Sequence, residues 1–210
     1  MTEDKLALKV GYVDDESKDY QDYKIILGRD DIDLIYAENC QTLNDIIEWI
    51  LDNSIECLIV DHKLTEKYDF VGTKVVAYVN SQLPDLPCII LTNYTKDSEE
   101  EKLVAKNLIF DRSKLIKNTA EIVEFIKQYA EIFRNRLRNH IDSYRELLEK
   151  RIERKLTAEE EEQFIRLHRL LRAYGEVDDV ATELLRPEVD HKLDLLIDKI
   201  DKLIDKSKGK

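Results

Sequence analysis

A chain of 210 residues, 43% of them hydrophobic, is long enough to bury one sizeable core and a smaller second one. Its net charge of −12 excludes a protein built mainly to neutralise nucleic-acid phosphates, so DNA is not an expected partner. The charged start MTEDKLALKV has no signal-peptide run, and no stretch approaches the ~20 apolar residues that span a bilayer; the expectation is a cytoplasmic protein without membrane insertion.

Residues 6–13 form an apolar run that reads as a buried strand and ends in Asp14, Asp15 and Glu16. Helical spacing over 18–27 follows, with Gly28 where a helix C-cap glycine would stand. Strand-like 32–37, helix-like 43–52 and strand-like 57–60 come next, the last ending at Asp61. A helix over 73–81, a strand over 88–91 ending at Thr92, a helix over 98–106 and a strand over 108–110 complete the alternation. Strands and helices alternating through short connections predict a parallel sheet covered on both faces. Cys40, Cys57 and Cys88 lie at or beside these apolar runs without metal-ligand spacing and read as buried thiols of a reducing compartment.

From about Thr119 the strand signal vanishes. Apolar residues recur at helical spacing from Ile122 to Leu148, and the pattern holds to about Leu156. Thr157 opens a further helix with Glu160 in capping-box spacing, and this helix ends near Gly175. A short helical stretch over 180–185 precedes Pro187, placed as the first residue of a last helix. That helix carries Val189, Leu193, Leu196, Ile200 and Leu203 as a short coiled-coil-like seam. The arginines and lysines of 134–155 interleave with acids at helical spacing, which favours pairing on a solvated face. His140 matches no phosphotransfer motif in its surroundings and reads as a helix-surface histidine.

In a parallel sheet whose first and third strands are neighbours, Asp14, Asp15 and Asp61 converge at the carboxyl edge, where such sheets bind ligands. Clustered carboxylates are costly unless a hard cation neutralises them, and Mg²⁺ with its preference for oxygen fits. One carboxylate can then attack a phosphoryl donor, with the Thr92 hydroxyl in reach of a phosphoryl oxygen.

Val10-Gly-Tyr-Val-Asp-Asp-Glu16, Ile55-Glu-Cys-Leu-Ile-Val-Asp-His-Lys63 and Pro87-Cys-Ile-Ile-Leu-Thr92 together resemble the receiver domain of two-component response regulators, over about residues 6–127. The resemblance implies an α/β (βα)₅ fold, a doubly wound five-stranded parallel sheet in 2-1-3-4-5 order. It implies Asp61 as phospho-acceptor, Mg²⁺ held by Asp14, Asp15, Asp61 and the backbone carbonyl of Lys63, and Thr92 as switch hydroxyl. It also implies a histidine kinase or phosphotransfer protein as donor, and a downstream protein partner. The family's lysine after the fifth strand is replaced by Arg112 in one register, with Lys114 the rival two residues later. Its switch aromatic falls on Ile109, with Phe110 one place off, and the loop from Asp61 to Gly72 is longer than the family's pattern.

The expected organisation is a receiver over 1–127 and an all-α output module over 128–210, continuous with the fifth receiver helix. Its helices offer a homodimer interface. A phosphorylation-independent scaffold of the same fold is the alternative function, and an RNA-binding helical output is a further one.

Overall fold

A computed structural model describes residues 7–64 and 67–177. The chain divides into two compact units, the first ending at Arg138 and the second beginning at Asn139. The first holds five strands: β1 (Leu8–Val13), β2 (Ile32–Tyr36), β3 (Cys57–Val60), β4 (Cys88–Thr92) and β5 (Ile109–Asp111). They pair in parallel throughout, in the order β2-β1-β3-β4-β5, so the doubly wound 2-1-3-4-5 sheet is present as expected.

The alternation of side chains along each strand assigns the helices to faces. Val10 and Tyr12 of β1, Ile59 of β3, Ile89 and Leu91 of β4 and Phe110 of β5 share one cluster with Tyr23 and Leu27 of α1 (Tyr20–Gly28) and Leu115 of α5 (Arg112–Lys117). Ile122, Val123, Ile126 and Ala130 at the start of α6 (Thr119–Glu153) complete it. The opposite face of β1 lies against α2 (Leu43–Asp52): a Cβ added to Gly11 would stand 2.7 Å from the Trp49 ring, so only glycine leaves room for that helix. The start of α2 is fixed by a capping box between Thr42 and Asp45.

The structure changes several sequence expectations. Gly28 is the last residue of α1 and has no positive φ; the left-handed residue that turns the chain toward β2 is Asp31, at φ 59°. The helix expected over 98–106 is α4, Thr95–Glu100, which starts and stops earlier. The Ser98 hydroxyl donates to the Tyr94 carbonyl at 3.0 Å, and Lys102 then turns left-handed at φ 55°, which ends the helix before Leu103. A 3₁₀ turn (Lys106–Leu108) leads into β5. The strand is followed at once by α5, a six-residue helix not expected from the sequence. Asp111 caps it by accepting the Ser113 N–H at 2.8 Å, and Asn118 separates it from α6.

Helix α6 runs 35 residues to Glu153, close to the stretch its periodicity indicates. In the second unit, α7 (Ala158–Ala173) begins at the Thr157–Glu160 capping box. It ends in a Schellman motif: Gly175, at φ 71°, donates to Arg172, and Glu176 donates to Leu171. Leu147, Leu156, Phe164 and Leu167 form this unit's own core, with Tyr144 stacked on Phe164 at 4.9 Å. The helices expected over 180–185 and from Pro187, with the seam Val189 to Leu203, lie outside the described residues. No described helix is long and apolar enough to cross a membrane.

Candidate functional site

Strand register brings the acids together. Val13 of β1 pairs with Val60 of β3, and the Asp61 N–H donates to the Val13 carbonyl at 2.9 Å, so the next residues on each strand, Asp14 and Asp61, emerge side by side. Asp15 joins them: ligand atoms of the three carboxylates lie within 4.8 Å of one another. Thr92 ends β4 opposite Asp111 of β5, which delivers Arg112 to the same edge. Asp14, Asp15, Asp61, Lys63, Tyr94 and Arg112 line one cleft there.

Asp14 is almost fully enclosed, 1% exposed. The Tyr12 hydroxyl, two residues back on the same strand face, donates to its Oδ2, and Arg112 Nη2 donates to that same oxygen. The Glu16 N–H donates to Oδ1 at 3.1 Å, and the Tyr36 hydroxyl to the Asp14 backbone carbonyl at 2.9 Å. Burial pushes the Asp14 carboxyl up to about 6 despite the opposing pull of Tyr12, Arg112 and the Glu16 N–H. Burial, with Asp14 adding to it, pushes the Tyr12 hydroxyl far above its ordinary range, and burial raises Tyr36 to about 12. Both phenols are therefore fixed donors at neutral pH.

Arg112 spans the cleft. Beyond Asp14, its Nη2 lies 3.1 Å from Asp61 Oδ1, and its Nη1 lies 3.0 Å from Asp19 Oδ2. Burial alone would lower its pKa, but Tyr12, Asp61 and Asp14 outweigh it, so the guanidinium stays charged. Asp61 Oδ2 accepts the Lys63 N–H at 3.0 Å. Gly72 opens α3 (Gly72–Gln82) directly against this strand end: a Cβ there would sit 1.9 Å from the Asp61 carbonyl oxygen, an approach only glycine permits.

The remaining residues singled out from the sequence fall as follows. The Thr92 hydroxyl is buried and accepts the Tyr94 N–H at 3.1 Å. The ammonium of Lys63 lies over the Tyr94 ring, 5.0 Å from its centroid. Lys114 pairs instead with Glu121 at 3.4 Å, and Phe110 is buried edge-on against Phe125. His140 lies in the second unit, on α6. Tyr12, Asp19 and Tyr36 were not anticipated. Tyr12 could have been found by its i, i−2 relation to Asp14; Asp19 and Tyr36 carry no local signal.

The donor set suits a hard divalent cation: three carboxylates converge, and among the described residues no histidine or cysteine joins them. Asp14, Asp15 and Asp61 are the residues that would hold it.

No protein-family model matches the sequence, and no curated protein matches it significantly. Solved structures do. The signal receiver domain of an HD domain-containing protein from Pseudomonas fluorescens Pf-5 superposes with a TM-score of 0.51 at 13% identity, covering 65% of this chain and 96% of that one. A response regulator receiver domain protein from Clostridium thermocellum gives 0.47 at 19% identity, over 59% of this chain and 94% of that one. A response regulator from Thermotoga maritima gives 0.46 at 19% identity, over 60% and 99%. The first unit therefore has the CheY-like fold of a response regulator receiver domain.

Proposed function

We propose that this chain is a response regulator of a two-component system, switched by phosphorylation of Asp61. The observation that carries this reading is the convergence of Asp14, Asp15 and Asp61 at the carboxyl edge of a 2-1-3-4-5 sheet, with Arg112 in the same cleft. An Asp61 carboxylate oxygen attacks the phosphorus of a phosphohistidine on a kinase or phosphotransfer protein. The Asp61 O–P bond forms as the donor's P–N bond breaks. Asp14, Asp15 and Asp61, with the backbone carbonyl of Lys63, would hold Mg²⁺, which would supply charge screening for the transferred group. Arg112 offers a planar fork of donors to the phosphoryl oxygens, and Thr92 is the hydroxyl that turns toward them.

The second unit, with its own core and charged surface, serves as a helical output toward a downstream protein or a second copy of this chain. A cytoplasmic location suits the three buried free thiols of the first unit. The chain would catalyse nothing beyond its own phosphorylation.

Incubation with Mg²⁺ and acetyl phosphate, followed by intact mass measurement, tests this. A single phosphoryl adduct is expected on the natural chain and none on Asp61→Ala. Light scattering with beryllofluoride then reads whether the activated chain dimerises. No adduct under any donor would favour the second reading, a phosphorylation-independent scaffold, which the Arg112 bridge supports by neutralising the acids without a metal.

A further inference from the structure

The Asp14 carboxylate already has its acceptor sites in use. Oδ1 takes the Glu16 N–H, and Oδ2 takes both the Tyr12 hydroxyl and Arg112 Nη2. The same Nη2 also reaches Asp61 Oδ1 at 3.1 Å. One guanidinium nitrogen therefore stands between two of the carboxylates that would hold a divalent cation. Their side chains are only 2% and 7% exposed, so solvent does little to screen them.

We propose that Arg112 is the resident counter-ion of this site and competes directly with Mg²⁺, so that the metal binds only in the fraction of molecules whose arginine has swung out of the bridge. This rests on the reading of the acid cluster as a cation site.

Three features support the competition. Arg112 is held from outside by Asp19, whose carboxylate accepts Nη1 at 3.0 Å and orients Nη2 inward. Asp19 is 41% exposed, so this anchor can be exchanged for water at little cost. The Arg112 Nε–H is buried without a hydrogen-bond partner, so the bridging pose leaves one of the fork's donors unmet. The bridge is thus strong at its inner end and cheap to release at its outer end. A cation that takes the carboxylates frees the fork for another anion, and a phosphoryl group arriving on Asp61 supplies one.

Generic charge effects and competition predict opposite signs at Asp19. Loss of an acid near the site lowers Mg²⁺ affinity if only the summed charge matters. It raises affinity if Asp19 matters by holding the bridge closed. Calorimetric titration of the full chain with MgCl₂ reads this directly. Arg112→Ala should tighten Mg²⁺ binding by about tenfold or more, as the fraction of competent molecules approaches one. Asp19→Asn, on a half-exposed and structurally tolerant position, should tighten it by about threefold. Unchanged affinity in Arg112→Ala, or unchanged or weaker binding in Asp19→Asn, would overturn the proposal. The readout does not depend on phosphorylation. If affinities shift as stated while acetyl phosphate leaves no adduct, the switch fails and the competition stands.

Discussion

Arg112 and Asp14, 98 residues apart in the chain, form a hydrogen-bonded ion pair in which the arginine side chain is 14% exposed and the aspartate 2%. The pair ties the end of β1 to the start of α5, on strands that are not neighbours in the sheet. Buried pairs of this kind contribute little beyond a well-packed apolar replacement, yet are costly to break from one side.

Arg112→Ala should therefore destabilise the first unit by about 3 kcal/mol near pH 7.5, since Asp14 and Asp61 remain buried and unneutralised. The loss should shrink near pH 5, where Asp14, already raised to about 6, takes up a proton. Urea unfolding in EDTA at the two pH values measures both; a deficit that does not change with pH would contradict the assignment of the bridge.

Asp14 also sets a pH window for the metal. Its native carboxyl is raised from 3.8 to about 6, so the folded chain holds this proton more tightly than the unfolded chain does. In the metal-free protein its contribution to stability therefore improves as pH falls from about 6 toward 4, and is least favourable above 6. Mg²⁺ needs the ionised form, so its affinity should drop below pH about 6. Titrations at pH 7.5, 6.5 and 5.5 should show the decline steepening across that range.

Gly72→Ala should cost about 3 kcal/mol or more by forcing a methyl group into the space held by the Asp61 carbonyl. Because the strain falls on the backbone of the proposed phospho-acceptor, the adduct on Asp61 should form more slowly even at temperatures where the variant stays folded. Intact-mass time courses beside a melting curve separate the two effects.

In the second unit, Thr157→Ala should loosen the first turn of α7 by about 1 kcal/mol, through loss of the bond from the Glu160 N–H. The Glu160 carboxyl is lowered to about 2, chiefly by Arg154, with the Thr157 N–H contributing. Its contribution is present above about 4.5 and is lost as pH falls toward 2. Amide exchange along α7 at pH 6 and at pH 3 should show the first turn opening first in acid.

Much of this was legible in the residues. Apolar runs ending in Asp14, Asp61 and Thr92 placed three strand ends correctly, because a strand buried on both faces writes itself as a continuous apolar segment. The long helix from Thr119 was equally plain, since its helical spacing of apolar residues repeats over many turns. Local signals failed where short-range geometry decided the outcome. Leu103 and Val104 mimic helical spacing, yet Lys102 in the left-handed region had already ended α4. Residues 112–117 hold too few apolar positions to announce a helix, and α5 exists because Asp111 caps it and Leu115 reaches the core.

Hydrophobic periodicity and turn chemistry are local properties, so residue order alone sets the five strands, most of the helices between them and the kinds of side chain at each strand's end. What those side chains do to one another is settled by the fold. That Arg112 and not Lys114 enters the cleft, that Tyr12 and Arg112 share one oxygen of Asp14, and that Asp19 anchors the arginine from outside all follow from strand register and helix placement. Ion pairing and burial act through space, between residues that the chain alone leaves far apart.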